Sequence, residues 1–184
     1  MPAKFFSHSD PSSDGAERVA RERVLAEQLR TELRDRAVVL DDRKVPGTNS
    51  HIDHIVIAPS GVWVIDANEC DGRVERRDLG GWRAVDERLY VAGKDRTNLV
   101  DGIDRQVIAV ENVLKGEQLD VPVHAALCFV NSEWGWFAKP FSLSGVWVTW
   151  AQKLTELVLD WEAIPSTQID RLARVVGAKL PSAA

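Results

Sequence analysis

The stretch HIDHIVIAPSGVWVIDANECDGRV, which runs from His51 to Val74, decides the fold. Ile52–Ile57 and Val62–Ala67 are two runs of apolar and β-branched side chains, a composition typical of buried strands. The residues between them, Ala58 to Gly61, are turn formers, and proline followed by serine suits a type I turn within a four-residue loop. This segment therefore predicts a β-hairpin.

The length of the loop sets which side chains share a face of the sheet. With four loop residues, Ile57 lies opposite Val62, so that Asp53 lies opposite Asp66. Asn68, two residues beyond Asp66, joins the same face. A three-residue loop would shift the register and send the two carboxylates to opposite faces. The four-residue loop therefore predicts an acidic pair at the end of the hairpin.

Two carboxylates that face each other at the end of apolar strands repel, which destabilises them unless something neutralises the charge. A divalent cation would do so, because Mg²⁺ is held in proteins by one or two carboxylates together with water and phosphate oxygens. Such an ion could activate water and neutralise a phosphodiester. Alternatively, Asp53 or Asp66 simply ends its strand and faces solvent or pairs with an arginine. Spacing alone leaves both interpretations open.

The rest of the chain alternates helical and strand-like patterns around the hairpin, which predicts an α/β fold, a three-layer sandwich with a central mixed sheet. The first helix has one apolar face, formed by Ala16, Val19, Ala20, Val24, Leu29 and Leu33. The predicted helices are Asp14–Arg34, Asp101–Lys115, Ala151–Leu159 and Ser166–Leu180, and the other predicted strands are 37–40, Arg73–Arg76, Trp82–Val85, Leu89–Val91, Val121–Val130 and Gly145–Trp150. We expect a flexible tail over residues 1–13, one domain over 14–150, and a C-terminal helical extension over 151–184 packed on that domain.

The composition limits the class of protein. The 184 residues are 45% hydrophobic and 28% charged, which excludes a disordered chain and suits one domain. We expect no membrane span and no signal peptide, since no apolar run is long enough. Cys70 and Cys128 lack metal-binding neighbours, so we expect reduced thiols and a cytoplasmic protein. The net charge of −5 disfavours nucleic-acid binding unless a local basic patch or a bridging metal ion supports it.

Five segments carry a resemblance to a known family. They are GAERV at Gly15–Val19, NSHIDHIVIAPSGVWVIDA at Asn49–Ala67, GRV at Gly72–Val74, RQV at Arg105–Val107 followed by Asn112, and VHAALCFV at Val123–Val130. Together they resemble the NERD, or nuclease-related, domain, which is similar to the restriction-endonuclease-like PD-(D/E)xK nucleases. The hairpin is the specific part of the match. The resemblance implies a restriction-endonuclease-like fold.

The resemblance also implies a metal-dependent nuclease that acts on DNA. Glu17, Asp53 and Asp66 match acidic positions of the family's proposed nuclease site, and Gln106 matches its glutamine. The implied cofactor is Mg²⁺ or Mn²⁺, held by the three carboxylates, and the implied reaction is phosphodiester hydrolysis. From the residues alone, Glu17 could instead complete a capping box, and Gln106 could be an amide on a helix surface.

Asn68 is the position at which the chain departs from the family pattern. The pattern has an acid, any residue and then lysine, whereas this chain has Asp66, Ala67 and Asn68. Removing a preorganised stabiliser of transition-state charge commonly lowers the rate about 10²–10³-fold. Lys44 or Arg73, the nearest cations in sequence, could substitute. The alternative is a catalytically impaired member that binds nucleic acid or a protein partner.

Five residues are candidates for contact with nucleic acid: Lys44, His51, Arg73, Arg76 and Arg77. The three arginines follow the hairpin and form the most basic local segment, although acidic residues are interspersed with them.

Two further pairs of side chains bear on the site. His51 should share the face of Asp53, whereas His54, three residues further on the strand, should lie on the opposite face. The two histidines are therefore not expected to chelate one metal together. Trp134 and Trp136 could stack bases or line a partner surface, or could pack over the sheet edge.

Overall fold

The computed structural model describes residues 11–82 and 84–183, with side chains from Val19 onward. The predicted tail, residues 1–13, lies outside this part of the chain except for Pro11–Ser13, which begin the first helix. Among the described residues, no helix is both long enough and apolar enough to cross a membrane.

The described residues form four helices and nine strands. In chain order these are α1 (Pro11–Leu33), followed by a 3₁₀ turn (Arg34–Arg36), β1 (Val38–Lys44), β2 (His51–Ala58), β3 (Gly61–Glu69), β4 (Val74–Asp78), β5 (Glu87–Val91), β6 (Lys94–Asp95), α2 (Asn98–Gly116), β7 (Val123–Val130), β8 (Phe141–Leu143), β9 (Val146–Thr149), α3 (Ala151–Val158) and α4 (Ser166–Lys179).

Six strands form the central sheet, in the order β1-β2-β3-β7-β9-β8. The pairs β1–β2 and β2–β3 are antiparallel, β3–β7 and β7–β9 are parallel, and β8 is antiparallel to β9. The prediction of a mixed central sheet is therefore confirmed. The strands β4, β5 and β6 form a separate antiparallel sheet.

Helices cover both faces of the central sheet and give the three layers. Leu25, Leu29 and Leu33 of α1 recur every four residues, so they lie on one side of the helix and are fully buried with α3 against one face. On the other face, α2 and α4 bury Val110 and Leu172 in a second core. Removal of these apolar side chains from water is the main force that holds the layers together.

The hairpin has the predicted register. Ile57 pairs with Val62, and the ladder extends by one further pair to Ala58 and Gly61. Gly61 has a φ of +135°, and a Cβ at this position would lie 2.5 Å from the carbonyl oxygen of Pro122. That same oxygen accepts the N–H of Val62 at 2.9 Å. Glycine is therefore required where the turn leads into β3.

The strand predicted at Trp82–Val85 is wrong, because the described residues there form an exposed loop. Asp78 Oδ1 accepts the N–H groups of Gly80 at 2.8 Å and Asp86 at 3.0 Å, which closes the loop. Trp82 is 90% exposed. An apolar run with no sheet neighbour and no core beneath it gains nothing from extended pairing.

The strand β1 is longer than the predicted residues 37–40. Its polar second half, which includes Asp41 and Arg43, continues to pair with β2. β1 is an edge strand of the sheet, so charged side chains are tolerated on it. Its outer side bonds to the C-terminal segment, where Lys44 N–H binds Pro181 O at 2.9 Å and Ala183 N–H binds Asp42 O at 2.8 Å.

Candidate functional site

Asp53 and Asp66 lie side by side where the two hairpin strands separate. The ladder between β2 and β3 ends at His54 and Ile65. Just beyond it, Asp53 Oδ2 accepts a hydrogen bond from the backbone N–H of Ala67 at 2.9 Å. The carboxyl groups of Asp53 and Asp66 also share a hydrogen bond. The structure thus brings together the two acidic residues that the register made neighbours.

The surroundings of Asp53 disfavour its negative charge. The residue is only 7% exposed. Burial raises the pKa of Asp53 most, the negative charges of Asp66 and Glu22 raise it further, and the hydrogen bond from Ala67 opposes them. The pKa lies at about 8. Protonation of Asp53 is therefore favoured relative to an exposed aspartate, and a cation bound beside it would oppose that protonation.

The third predicted carboxylate, Glu17, lies in α1, but its side chain is outside the described part of the structure. The α1 carboxylate that the structure places near the pair is Glu22, whose charge acts on Asp53. Glu22 is not among the residues predicted from the sequence.

A shift of the buried face of α1 explains why Glu22 was not predicted. The apolar face assigned from the sequence includes Val19 and Val24, which are 40% and 55% exposed. The buried face contains the predicted Leu29 and Leu33 together with Leu25, which was not assigned to it. One helical turn before these lies Glu22, so the spacing of the leucines was the signal that could have found it.

A cavity of about 410 Å³ opens between α1, β1 and β2, and we call it the α1 cavity. Both His51 and His54 line it, so the prediction that they lie on opposite faces is wrong. Regular alternation breaks between them: Ile52 and Ile55, three residues apart, pack in the same core. Neither strand has an extra residue there, because β1 keeps the same register on both sides of the break, with Asp41 opposite His54 and Arg43 opposite Ile52. The backbone is irregular at Asp42 between them, which has a φ of +45°. The remaining lining residues are Val19, Glu22, Arg23, Ala26, Arg30, Asp41, Asp42, Asp53 and Ala183.

Each histidine of the α1 cavity is held by an aspartate of β1. His51 Nδ1 lies 3.0 Å from Asp42 Oδ1, and His54 Nδ1 lies 2.8 Å from Asp41 Oδ1. Arg30 also forms an ion pair with Asp41. Burial lowers the pKa of His54 to about 4, so the ring is neutral at physiological pH. Its Nε2 is buried and has no hydrogen-bond partner among the described residues.

Asn68 stands beside Asp66, where the family pattern has lysine. Its Nδ2 donates to Asp66 Oδ2 at 3.0 Å, so it orients the carboxylate without adding positive charge. The next residue, Glu69, forms an ion pair with Arg21 of α1 at 3.4 Å and accepts a hydrogen bond from Asn131 at 3.1 Å. The cationic side chain of Arg21, from α1, thus lies at the C-terminal end of β3, near Asp66 and Asn68.

The other predicted residues lie on several elements. Gln106 is half-buried on α2, and its Oε1 is buried with no hydrogen-bond partner among the described residues. Lys44 ends β1 opposite His51, with its side chain exposed. Neither Lys44 nor Arg73 is among the residues whose charges shift the pKa of Asp53. Arg73 lies instead in a separate groove, which Arg76 and Arg77 also line.

A metal ion would need more ligands than this pair. Across residues 11–82 and 84–183, the histidine, cysteine, aspartate and glutamate side chains form no group of three or more that could hold a metal ion. Asp53 and Asp66 offer two carboxylates, and Glu17, whose side chain is not described, is the predicted third.

The family model of the nuclease-related domain, NERD, matches residues 17–130. The chain belongs to the NERD family. The match begins in α1, includes the whole hairpin with Asp53 and Asp66, and ends with β7. No curated protein and no solved structure matches the chain.

The NERD match places the predicted carboxylates and Gln106 inside the family domain. The loop after β7, the strands β8 and β9, and the helices α3 and α4 follow it. In this NERD protein α3 nevertheless shares a core with α1, and α4 shares a core with α2. The shared cores bind these later elements to the sheet that carries the candidate site.

Proposed function

We propose that this NERD protein is a metal-dependent nuclease that hydrolyses phosphodiester bonds in DNA. The observation that carries the proposal is the adjacent pair of carboxyl groups, Asp53 and Asp66, at the point where β2 and β3 separate. The backbone N–H of Ala67 positions Asp53 Oδ2, and Asn68 Nδ2 positions Asp66 Oδ2. Two oriented carboxylates at the end of a buried hairpin suit a hard divalent cation.

The residues fit Mg²⁺ or Mn²⁺ as the cofactor. A buried carboxyl beside two further negative charges is unfavourable, and a divalent cation would relieve this directly. Asp53 and Asp66 would hold the ion, with Glu17 as the third protein ligand. When bound, the ion would supply an activated water and charge neutralisation for a phosphate. Gln106, which matches the glutamine of the family pattern, is proposed to assist.

Asn68 favours a second candidate, a member impaired in cleavage that still binds nucleic acid or a protein partner. Its amide occupies the place of the lysine and binds Asp66 instead of bringing a positive charge toward a phosphate. A rate about 10²–10³-fold below that of a lysine-containing site is expected from such a loss.

The test measures cation binding and DNA cleavage separately. Calorimetric titration with Mn²⁺ and Mg²⁺ should show binding by the wild type, loss of binding by Asp53→Asn, and unchanged binding by Asp120→Asn, an exposed aspartate remote from the pair. Supercoiled plasmid is then incubated with each cation or with EDTA. Cleavage by the wild type but not by Asp53→Asn would support the nuclease.

Asn68→Lys separates the two candidates. If only Asn68→Lys cleaves, the wild type is an impaired member. If the wild type binds neither cation and neither protein cleaves, the proposal of a metal-dependent nuclease is refuted.

We also propose a cytoplasmic location. Cys70 and Cys128 are both free thiols, which suits a reducing compartment. Fractionation of cells followed by detection of the protein would test this.

A further inference from the structure

Two aromatic side chains project into solvent from the loop between β7 and β8. Trp136 is 94% exposed and Phe137 is 89% exposed. The loop is fixed by backbone hydrogen bonds, because Glu133 N–H binds Gly72 O at 2.9 Å and Val74 N–H binds Glu133 O at 3.1 Å. Adjacent large apolar side chains on an anchored loop mark an interaction surface, since they contribute nothing to a core.

Cationic side chains surround these rings and form the wall of a groove of about 880 Å³. We call it the aromatic groove. The lining residues on which the argument depends are Arg73, Arg76, Arg77, Trp136, Phe137 and Lys139.

The arginines of the aromatic groove are positioned by ring and backbone contacts. The guanidinium of Arg76 lies 5.6 Å from the ring centre of Phe141, and that of Arg77 lies 4.3 Å from the ring centre of Tyr90. The Arg73 side chain packs close to Gly135, where a Cβ would come within 3.2 Å of its Nη2. Ring stacking leaves the edge of a guanidinium available for a phosphate.

The charge of the aromatic groove contrasts with that of the chain. Four cationic side chains and one acidic side chain, Glu75, line the groove. The whole chain, in contrast, has a net charge of −5. Glu75 pairs with Arg73 at 3.1 Å and with Arg77 at 2.7 Å, and Glu87, just outside the groove lining, pairs with Arg76 at 3.2 Å. These pairs are exposed, and such pairs contribute little to stability, so a phosphate can replace the carboxylate at either arginine.

We propose that the aromatic groove binds single-stranded DNA, with bases stacked on Trp136 and Phe137 and phosphates bound by the surrounding cations. Exposed rings bind unpaired bases in a way that is tolerant of sequence, whereas the bases of a duplex are already stacked on each other. An apolar protein partner would also cover the rings, but it would gain little from the four cations.

The aromatic groove lies toward the end of the sheet that carries the candidate site. The parallel strands β3 and β7 pair as far as Glu69 and Val130, so the segments that follow both strands leave the sheet at one edge. Asp66 lies three residues before the end of β3 at Glu69. Arg73 follows Asp66 by seven residues, which limits the distance between their Cα atoms to about 25 Å. Binding in the groove does not depend on cleavage, because none of its residues is a proposed metal ligand.

The test measures the affinity of a fluorescein-labelled oligothymidylate by fluorescence anisotropy in EDTA, so that binding is separated from metal-dependent cleavage. The wild type should bind the single strand more tightly than a duplex of equal length. A matching oligouridylate shows whether the groove distinguishes DNA from RNA, and tighter binding of that RNA would refute the assignment to DNA.

Variants then test the role of the rings and the cations. Trp136→Ala and Phe137→Ala should each weaken binding about 5- to 100-fold, and Trp136→Phe should retain most of it because phenylalanine still stacks. Lys139→Ala should reduce the slope of log affinity against log salt by about 0.7. Trp82→Ala, which removes an equally exposed tryptophan from another loop, should leave the affinity unchanged.

Several results would overturn the proposal. One is no binding of the oligonucleotide at low salt, and another is equal affinity for the duplex. A third is unchanged affinity in the Trp136→Ala and Phe137→Ala double variant. A self-association that is lost in Trp136→Ala, without oligonucleotide binding, would assign the groove to a protein interface and refute the proposal. Loss of metal binding and cleavage in Asp53→Asn with retained oligonucleotide binding would leave it intact.

Discussion

Ser60→Ala is expected to destabilise the protein strongly, although Ser60 is one of only two residues in the hairpin turn. Ser60 is fully buried. Its Oγ donates to the carbonyl oxygen of Val158 at 2.5 Å and accepts the indole N–H of Trp63 at 2.8 Å. A single hydroxyl therefore joins the turn, strand β3 and the end of α3.

The magnitude follows from the two groups that the substitution leaves without a partner. Trp63 and Val158 are both fully buried, so neither group can bind bulk water instead. A buried donor or acceptor left without a partner costs about 1–3 kcal/mol. The two together should lower the free energy of unfolding by roughly 2–6 kcal/mol. For a chain of this size, that lowers the melting temperature by about 4–24 °C.

Denaturant unfolding, followed by tryptophan fluorescence and circular dichroism, measures this change. Ser142→Ala is the control, because Ser142 is exposed on β8 and its loss should change stability by no more than about 0.5 kcal/mol. In a Trp63→Phe background the indole donor is already absent, so Ser60→Ala should be less destabilising by about 1 kcal/mol or more. A Ser60→Ala protein within about 0.5 kcal/mol of the wild type would refute the reasoning.

Three further predictions can be checked with equally simple measurements. Gly61→Ala should lower the free energy of unfolding by at least about 3 kcal/mol, because φ is +135° and a Cβ would lie 2.5 Å from the backbone oxygen of Pro122. A denaturant unfolding curve equal to that of the wild type would contradict this. Gly102→Ala should raise the free energy of unfolding by about 0.5–1 kcal/mol, since Gly102 lies within α2 and a Cβ there meets no atom within 4 Å. A melting temperature below that of the wild type would count against this. Burial raises the pKa of both thiols, and Cys128 is fully buried while Cys70 is partly exposed. Ellman's reagent should therefore modify Cys70 slowly in the native protein and Cys128 only after unfolding, and rapid modification of both in the native state would disprove it.

The two candidate surfaces have opposite charge, and this bears on how an acidic chain could act on DNA. At the carboxylate pair, the negative charges of Asp66 and Glu22 act on the buried carboxyl group of Asp53. The aromatic groove carries the local excess of positive charge. We expect the groove to supply the affinity for a polyanion and a divalent cation to be required before a phosphate can approach the carboxylates.

The neighbouring positions of Asp53 and Asp66 could be predicted from the sequence because they depend on local rules. Side chains alternate along a strand, and a turn of known length sets the register of a hairpin. The turn residues and the β-branched runs lie within one continuous segment, so no distant part of the chain was needed. The mixed α/β architecture followed from the order of these patterns along the chain in the same way.

The tertiary structure alone decided what surrounds that pair. Glu22 reaches Asp53 because the leucines of α1 rotate the helix onto the sheet, and the strongest apolar pattern in the sequence pointed in part to a different face. His51 and His54 share one cavity because the alternation of β2 breaks between Ile52 and Ile55, beside the irregular backbone of Asp42. The aromatic groove exists because backbone bonds join Gly72 and Glu133, which are far apart in sequence. Periodicity describes one element at a time, whereas these contacts depend on how separate elements pack.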